Sequence, residues 1–197
     1  MPDNWPLMDA ADVRAVAAQA ARLIETFFAE KADLLVEVGG RMAEALRAGG
    51  KVLVFGNGGS AADAQHLAGE LVGRYRKDRA ALPALALTTD PSVVTAVGND
   101  LGFEAIFRRQ VEAHGRAGDV AVAISTSGRS PNVIEALRAA RARGLVTIGL
   151  TGAGGGNLPD LVDYLIDVPH AETPRIQEVH GMIVHVLCEI VEETLAP

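Results

Sequence analysis

The chain has 197 residues, of which 49% are hydrophobic and 22% are charged, and these proportions are typical of a globular protein rather than a disordered one. Its net charge of -7 argues against a nucleic-acid-binding protein that depends on a broad basic surface. The single cysteine, Cys188, excludes an intrachain disulfide. Residues 1–12 lack the features of a signal peptide, and no apolar run is long enough to span a bilayer. We therefore expect a cytoplasmic protein with neither a nucleic-acid nor a membrane partner.

The first 50 residues are predicted to be helical. Apolar side chains recur every three or four residues over 13–27 and again over 34–46, which predicts two helical segments. The pair Gly49-Gly50 follows and should end the second segment, because glycine adopts the left-handed conformation in which many helices end.

Short apolar segments then alternate with amphipathic ones. Strands are predicted over 51–55, 84–88, 120–125, 146–150 and 164–168. Helices are predicted over 60–75, 103–114, 132–143 and 174–194, with Thr173 as N-cap of the last and Pro174 in its first helical position. Strands that are apolar throughout and alternate with helices favour a parallel sheet covered by helices. Ligands of such sheets bind beyond the carboxyl ends of the strands, so the informative loops are 56–60, 89–100, 126–130 and 151–157.

The loop after the first strand is rich in glycine. It reads G-N-G-G-S-A-A-D from Gly56 and leads into a predicted helix, where glycines let the backbone approach a ligand and the helix N-terminus favours an anion. The dinucleotide fingerprint G-x-G-x-x-A also fits, but no acidic residue ends the second strand, and Asp90 lies too far along. A P-loop lysine is absent from the motif. We interpret the segment as a ligand loop rather than a plain tight turn.

The loop after the third strand is rich in hydroxyl groups. It reads S-T-S-G-R-S-P-N from Ser125, and hydroxyls together with N–H groups at a helix N-terminus suit a phosphate. An ordinary helix cap would explain Ser130 but not the other three hydroxyl side chains. We therefore favour a phosphate-binding loop.

Two helices carry polar residues with helical spacing. His66 and Glu70 share one face and could bind a metal, act as an acid–base pair or form a surface salt bridge. In the last helix Gln177, Gly181 and His185 share a face. Because glycine is costly in a helix interior, Gly181 indicates either close helix packing or space for a ligand. Read alone, this face favours close packing at Gly181 and a core role for His185.

Together these motifs resemble those of SIS-domain sugar-phosphate proteins, and among them the phosphoheptose isomerases of bacterial heptose biosynthesis. The resemblance covers nearly the whole chain and rests on G-N-G-G-S-A-A-D-A-Q-H-x-A-x-E over 56–70, A-x-G-N-D over 96–100, S-T-S-G-x-S over 125–130 and R-I-Q-E-x-H over 175–180, with His185 beyond. It implies a single SIS domain over 1–197. The implied fold is α/β, a three-layer αβα sandwich with a five-stranded parallel sheet of the doubly wound, flavodoxin-like type, and an N-terminal helical extension. The helices of residues 1–50 would pack on the sheet and on neighbouring subunits of a homotetramer.

The resemblance also implies an activity and a set of site residues. The reaction is the interconversion of sedoheptulose 7-phosphate and D-glycero-D-manno-heptose 7-phosphate, the first step towards ADP-heptose or GDP-heptose, by proton transfer through an enediol. Glu70 and His185 match the catalytic base and acid, and one zinc ion per subunit is implied. The substrate-binding positions are Asn57, Gly58, Gly59, Glu70, Asn99, Asp100, Ser125, Thr126, Ser127, Ser130 and Gln177, and the zinc-binding positions are His66, Glu70, Gln177 and His185. Because eight residues of helix span about 12 Å, we rank Gln177 below the other three as a zinc ligand.

Two kinds of non-catalytic protein share this fold. One is a SIS protein that binds the bacterial replication initiator, and the other is a regulatory module that senses a sugar phosphate. The initiator-binding relatives lack the catalytic glutamate and the terminal histidine, whereas Glu70 and His185 are both present here. The enzyme is therefore favoured. The sequence leaves open whether its product serves lipopolysaccharide, a capsule or another heptose-containing glycan.

Overall fold

A computed structural model of the protein describes residues 8–196, so residues 1–7 of the predicted extension and domain, and Pro197, lie outside the described residues. The helices are α1 (Ala10–Arg47), α2 (Gly59–Val72), α3 (Pro91–Leu101), α4 (Ile106–His114), α5 (Pro131–Ala142) and α6 (Thr173–Leu195). The strands are β1 (Val52–Gly56), β2 (Ala84–Ala86), β3 (Val120–Ser125), β4 (Val146–Thr151) and β5 (Tyr164–Asp167).

All five strands form one parallel sheet in the order β2-β1-β3-β4-β5. This order is that of the flavodoxin-like, doubly wound sheet, so the predicted fold class is confirmed. Side chains of successive strand residues alternate between two separate apolar cores. Val52 and Val54 face a core shared with α1, α2 and α6, whereas Leu53 and Phe55 face a core shared with α4 and α5. The sheet is thus covered on both faces, as its continuous apolar strands predict.

The prediction of two N-terminal segments is wrong, because α1 is one continuous helix of 38 residues. The residues between the two apolar stretches include Ala29, Glu30 and Lys31, which are good helix formers, so no break arises there. Lys31 is also held in the helix by an ion pair with Asp167 of β5, at 3.0 Å. The helix ends at Arg47, and Gly49 follows with a φ of 85°, as the glycine pair predicts.

Several further boundaries differ from the sequence prediction, and α2 ends at Val72 instead of Tyr75 while α4 begins at Ile106 instead of Phe103. Much of the segment 89–100, interpreted as a loop, is helix α3, whose N-cap Asp90 accepts a hydrogen bond from the N–H of Val93 at 3.0 Å and is followed by Pro91. This is a standard helix start that the valine-rich sequence obscured. Glu172 rather than Thr173 is the N-cap of α6. Strand β2 is an edge strand and spans three residues, 84–86, instead of five.

The strand ends bring the candidate site together. Because all strands are parallel, the loops after β1 and β3 lie at one edge of the sheet, and α2 and α6 pack against each other beside them. Within residues 8–196, no helix is long and apolar enough to cross a bilayer.

Candidate active site

A pocket of about 240 Å³ lies at the carboxyl ends of β1 and β3. It is lined by seven of the predicted substrate-contact residues: Asn57, Gly59, Ser125, Thr126, Ser127, Ser130 and Gln177. The remaining lining residues are Ser60, Ile124 and Thr173, so the walls are rich in hydroxyls and carry no charged side chain. An anion in this pocket would be bound by hydroxyl and backbone N–H groups rather than by an ion pair.

Gly128 fixes the shape of the serine-rich loop. Its φ of 61° lies in the left-handed region, and a Cβ on it would lie 2.1 Å from the carbonyl oxygen of Gly155. The Gly128 N–H donates to the carbonyl of Ser125 at 2.9 Å, and the Asn157 N–H donates to the carbonyl of Gly128 at 2.9 Å. The loop after β3 is therefore held against the loop after β4, and no residue larger than glycine fits at this contact.

Ser130 occupies the N-cap position of α5 but its side chain makes no capping hydrogen bond. Its hydroxyl instead lies 3.1 Å from the hydroxyl of Ser125. The capping interpretation of Ser130 accounts for its position but not for the direction of its side chain. The two hydroxyls face the pocket as a pair, which suits a ligand with several acceptor oxygens.

The glycine-rich loop meets α6 at Gln177. A Cβ on Gly59 would lie 2.4 Å from Nε2 of Gln177, so a larger residue here would displace the Gln177 amide from its present position. Gly58 has a φ of 58° and precedes α2 as its N-cap. The neighbouring Asn57 exchanges two hydrogen bonds with Asn132, at 2.9 and 2.8 Å, and this reciprocal pair fixes the orientation of its amide.

His66, Glu70 and His185 form a second cluster, between α2 and α6. One potential ligand atom of each lies within 4.8 Å of the others. The two Nε2 atoms are 3.1 Å apart, and Nε2 of His66 lies 3.3 Å from the Glu70 carboxylate. Spacing alone allows His66 and Glu70 to form either a salt bridge or a site, and favours a core role for His185. His185 is exposed and lies beside the other two, so the core interpretation is wrong.

Gly181 lies between the pocket and the cluster on α6. A Cβ on it would meet nothing within 4 Å, so the close-packing explanation of this glycine is wrong for the described chain. It lies four residues from Gln177 and four from His185, and residues at this spacing share a helix face. An open strip of α6 therefore connects the two halves of the site.

Four of the predicted contact residues do not line this pocket in the single chain: Gly58, Glu70, Asn99 and Asp100. Asn99 and Asp100 lie at the end of α3, are exposed, and are linked by a hydrogen bond of 2.7 Å from Nδ2 of Asn99 to the Asp100 carboxylate. Neither lines the pocket described above. Their assignment to substrate binding stays a prediction, as does the assignment of Gln177 to a metal.

Three residues of the site were not found by sequence reasoning. Thr173 lines the pocket, and its hydroxyl lies 3.5 Å from that of Thr126. Asn132 orients Asn57, and Tyr75 lies against His185 with ring centroids 5.7 Å apart. Asn132 and Tyr75 contact residues more than seventy positions away, so no local spacing indicates them. Thr173 was noted only as a helix cap.

A third histidine of the matching motifs lies in the core. His180 is fully buried, and its Nε2 lies 3.1 Å from the carbonyl oxygen of Thr151. Burial lowers the pKa of His180 to about 4, although the hydrogen bond to Thr151 opposes the shift. The ring is therefore neutral at physiological pH and supports the packing of α6 on the sheet. Asp63, one turn before His66, is half-buried, and burial raises the pKa of its carboxyl.

Known proteins match both the sequence and the fold. A family model described as SIS domain matches residues 17–152. A phosphoheptose isomerase of Desulfovibrio desulfuricans is 56% identical over 180 residues, which are 91% of this chain and 86% of that protein. The structure of a phosphoheptose isomerase from Neisseria gonorrhoeae has a TM-score of 0.87 at 45% identity, covering 92% of this chain and 97% of that one. One from Francisella tularensis has a TM-score of 0.90 at 36% identity, covering 94% and 100%. The chain therefore belongs to the SIS-domain family and, within it, to the phosphoheptose isomerases.

Proposed function

We propose that this isomerase interconverts sedoheptulose 7-phosphate and D-glycero-D-manno-heptose 7-phosphate, the first step towards a nucleotide-activated heptose. The observation that supports it best is the placement of two groups of residues along α6. A hydroxyl-rich pocket lies at its start and a His-Glu-His cluster lies two turns further on, joined by the open strip at Gly181. A linear sugar phosphate would bind its phosphate in the first and its reacting carbons near the second.

The phosphate is assigned to Ser125, Thr126, Ser127 and Ser130, at the N-terminus of α5. Paired hydroxyls and helix N–H groups supply donors without a fixed positive charge. Asn57, Gly58, Gly59 and Gln177 would bind the sugar hydroxyls, together with Glu70, Asn99 and Asp100. Ser127→Ala and Ser130→Ala should raise KM more than they lower kcat, because the phosphate is remote from C1 and C2. Wild-type KM values in both variants would move the phosphate elsewhere.

Glu70 and His185 are assigned as the two proton-transfer groups. Isomerisation moves one hydrogen between C1 and C2, so a base must take a carbon-bound proton while an acid protonates oxygen. Glu70 is the base and His185 the acid, and they come from different helices, α2 and α6. The enediol forms when Glu70 has taken the C1 proton and His185 has given a proton to O2. Glu70 then returns its proton to C2 while the O1 hydroxyl gives its proton back to His185, which leaves the aldehyde at C1 and both side chains in their starting states.

The His-Glu-His cluster fits a zinc ion. Two ligand atoms of a tetrahedral zinc with bonds of about 2.1 Å lie about 3.4 Å apart, and the 3.1 and 3.3 Å separations at His66 are close to this. Two imidazoles and one carboxylate also suit zinc chemically. His66, Glu70 and His185 would hold the ion, with Gln177 as a weaker fourth candidate. When bound, zinc would stabilise negative charge on the sugar oxygens.

Zinc binding can be measured apart from activity. Calorimetric titration of chelator-treated protein with zinc chloride should give one site per subunit, and His66→Ala should weaken it at least about tenfold. His114→Ala is a matched control, because His114 is an exposed histidine at the far end of α4. Equal affinities in His66→Ala and the wild type would exclude the site.

The deciding experiment is a direct assay with sedoheptulose 7-phosphate that follows aldose formation. Glu70→Gln keeps the size of the side chain and removes its basicity, so it should abolish turnover and also stop exchange of the transferred hydrogen with heavy water. His185→Gln should abolish net isomerisation and allow residual exchange. Glu112→Gln, in a partly exposed ion pair on α4, is the control. Wild-type turnover in Glu70→Gln would contradict its assignment as the base. Residual exchange in Glu70→Gln but none in His185→Gln would show that the roles of base and acid are the other way round.

The proposed assembly is a cytoplasmic homotetramer of single-domain chains. Val13, Val16 and Val36 of α1 are exposed, as is Met182 of α6, and exposed apolar side chains along a helix suit a subunit interface. The lone thiol, Cys188, is buried, which is compatible with a reducing compartment. Sedimentation at micromolar concentration should give a tetramer, and a monomer would refute the assembly.

A further inference from the structure

The segment that follows α2 folds back over α6. Residues 73–83, here called the return segment, contain neither helix nor strand. Its backbone N–H groups at Tyr75, Arg76 and Lys77 all donate to the carboxylate of Glu192, at 3.1, 2.8 and 2.8 Å. Glu192 is only 2% exposed. One carboxylate of α6 therefore fixes three consecutive residues of an irregular segment.

Arg79 extends this network to the site. Its Nε donates to Glu192 at 3.0 Å, and its two terminal nitrogens donate to the carbonyl oxygens of Glu70 and Leu71 at 2.8 and 2.9 Å. The side chains of Arg79 and Glu192 are 5% and 3% exposed. Burial of a charged pair is a poor source of stability, so stability alone explains this arrangement badly. Its geometric effect is to tie the last turn of α2, at Glu70 itself, to α6.

The same network places an aromatic ring on His185. The Tyr75 ring lies 5.7 Å from the His185 ring at 36°, and the His66 ring lies 4.7 Å from it at 88°. His185 is exposed, and the rings of Tyr75 and His66 flank its ring on two sides. Glu192 lies seven residues, or two turns, after His185 on the same face of α6. One helix face thus carries the acid and the anchor of the ring that covers it.

Glu192 is charged in this setting. Burial by itself would raise the pKa of its carboxyl, but the three backbone donors outweigh burial and lower the pKa. The carboxylate therefore keeps all of its hydrogen bonds at neutral pH. By contrast, the next residue, Glu193, pairs with Lys77 of the same segment at 2.7 Å but is 61% exposed, where an ion pair contributes little.

We propose that Tyr75, anchored by Glu192 and Arg79, is a positioning residue for the isomerisation: it holds the His185 ring in the orientation needed for proton transfer to oxygen. The proposal rests on the function assigned above to Glu70 and His185. If Tyr75 positions His185, it affects the transfer of a proton to oxygen and not the removal of the carbon-bound proton by Glu70. Loss of Tyr75 should therefore slow net isomerisation more than exchange of the carbon-bound hydrogen.

The first test compares Tyr75→Phe with Tyr75→Leu. Phenylalanine keeps the ring, so kcat should stay within about twofold of the wild type. Leucine keeps apolar volume but loses the ring, so kcat should fall by up to about tenfold, with KM changed less than twofold and a raised ratio of hydrogen exchange to isomerisation. A purely structural role would lower Tm without moving that ratio. An unchanged kcat, or an unchanged ratio, in Tyr75→Leu would overturn the proposal.

The second test compares Glu192→Gln with Glu193→Gln. Glu192→Gln removes the charge that holds the return segment, so this variant should have the kcat and exchange ratio of Tyr75→Leu. Glu193→Gln should have the kcat and exchange ratio of the wild type. Equal effects in both would overturn the anchoring role. If Glu192→Gln does not fold, the Tyr75 pair decides alone.

A spectroscopic measurement separates this proposal from the proposed function. The ring protons of His185, assigned by NMR with His185→Gln, should shift in Tyr75→Leu and remain in Tyr75→Phe. The same shift should accompany Glu192→Gln. The His185 signals could shift as expected although the wild-type protein does not isomerise sedoheptulose 7-phosphate. That result would support the contact between Tyr75 and His185 and contradict the proposed function. An unaltered His185 signal in Tyr75→Leu would refute the contact itself.

Discussion

Replacing Gly181 by alanine separates the needs of the helix from those of the site. Gly181 lies inside α6, and a Cβ there meets nothing within 4 Å. Alanine is favoured over glycine in a helix interior by about 1 kcal/mol, so Gly181→Ala should raise the free energy of unfolding by up to that amount. For a chain of this size the corresponding rise in Tm is about 2–4 °C.

The same substitution should damage activity. The methyl group would project from the strip between Gln177 and His185, where the sugar is proposed to lie. Forcing an extra methyl group into an occupied space costs about 1–3 kcal/mol, so kcat/KM for sedoheptulose 7-phosphate should fall about tenfold or more. Gly40→Ala in α1, whose Cβ also meets nothing within 4 Å, should gain stability without losing activity.

Thermal unfolding and steady-state kinetics on the same samples test both halves of this prediction. A Tm below that of the wild type would show that the space beside Gly181 is filled in the assembled protein. A stabilised variant with full kcat/KM would show that the substrate does not cross α6 at this point, and the proposed path from pocket to cluster would fail.

Three other measurements address buried groups and the phosphate loop. Burial raises the pKa of the Cys188 thiol to about 12, so an alkylating reagent at pH 8 should label it only after unfolding, and rapid labelling of folded protein would refute its burial. Because the pKa of His180 is lowered to about 4, below its unfolded value of about 6.5, its contribution to stability is complete above the unfolded value and is lost as pH falls towards 4. Urea unfolding at pH 7 and pH 5 should show a loss of about 2 kcal/mol from this group that is absent in His180→Gln, and equal pH dependence of the two proteins would contradict it. Gly128→Ala should raise KM strongly and lower Tm. Alanine at a φ of 61° costs about 1–2 kcal/mol, and its Cβ would overlap Gly155. An unaltered KM would mean that the loop can relax without losing the phosphate.

The sequence by itself was sufficient for the sheet and the two loops that line the pocket. Short apolar segments that alternate with amphipathic helices favour strands of a helix-covered parallel sheet, and parallel strands place their following loops at one edge. The sequence therefore predicts that Asn57, Ser125 and Ser127 lie close together at this edge, although it gives no distances between them. The helix prediction was wrong at α3 and in the middle of α1, where β-branched residues or polar helix formers weaken the helical spacing of apolar side chains.

Only the tertiary structure shows which distant residues lie beside the residues of each motif. From spacing alone, His66 and Glu70 could equally form a salt bridge or a ligand pair. Only the fold brings Nε2 of His185, 119 residues further along, to 3.1 Å from Nε2 of His66. Spacing alone favours a packing role for Gly181, and only the structure shows the open space beside it. The positions of Tyr75 and Glu192 have no sequence signature, because their contact depends on how an irregular segment returns over α6. Spacing along a chain fixes neighbours within one helix or strand, whereas contacts between elements depend on how those elements pack.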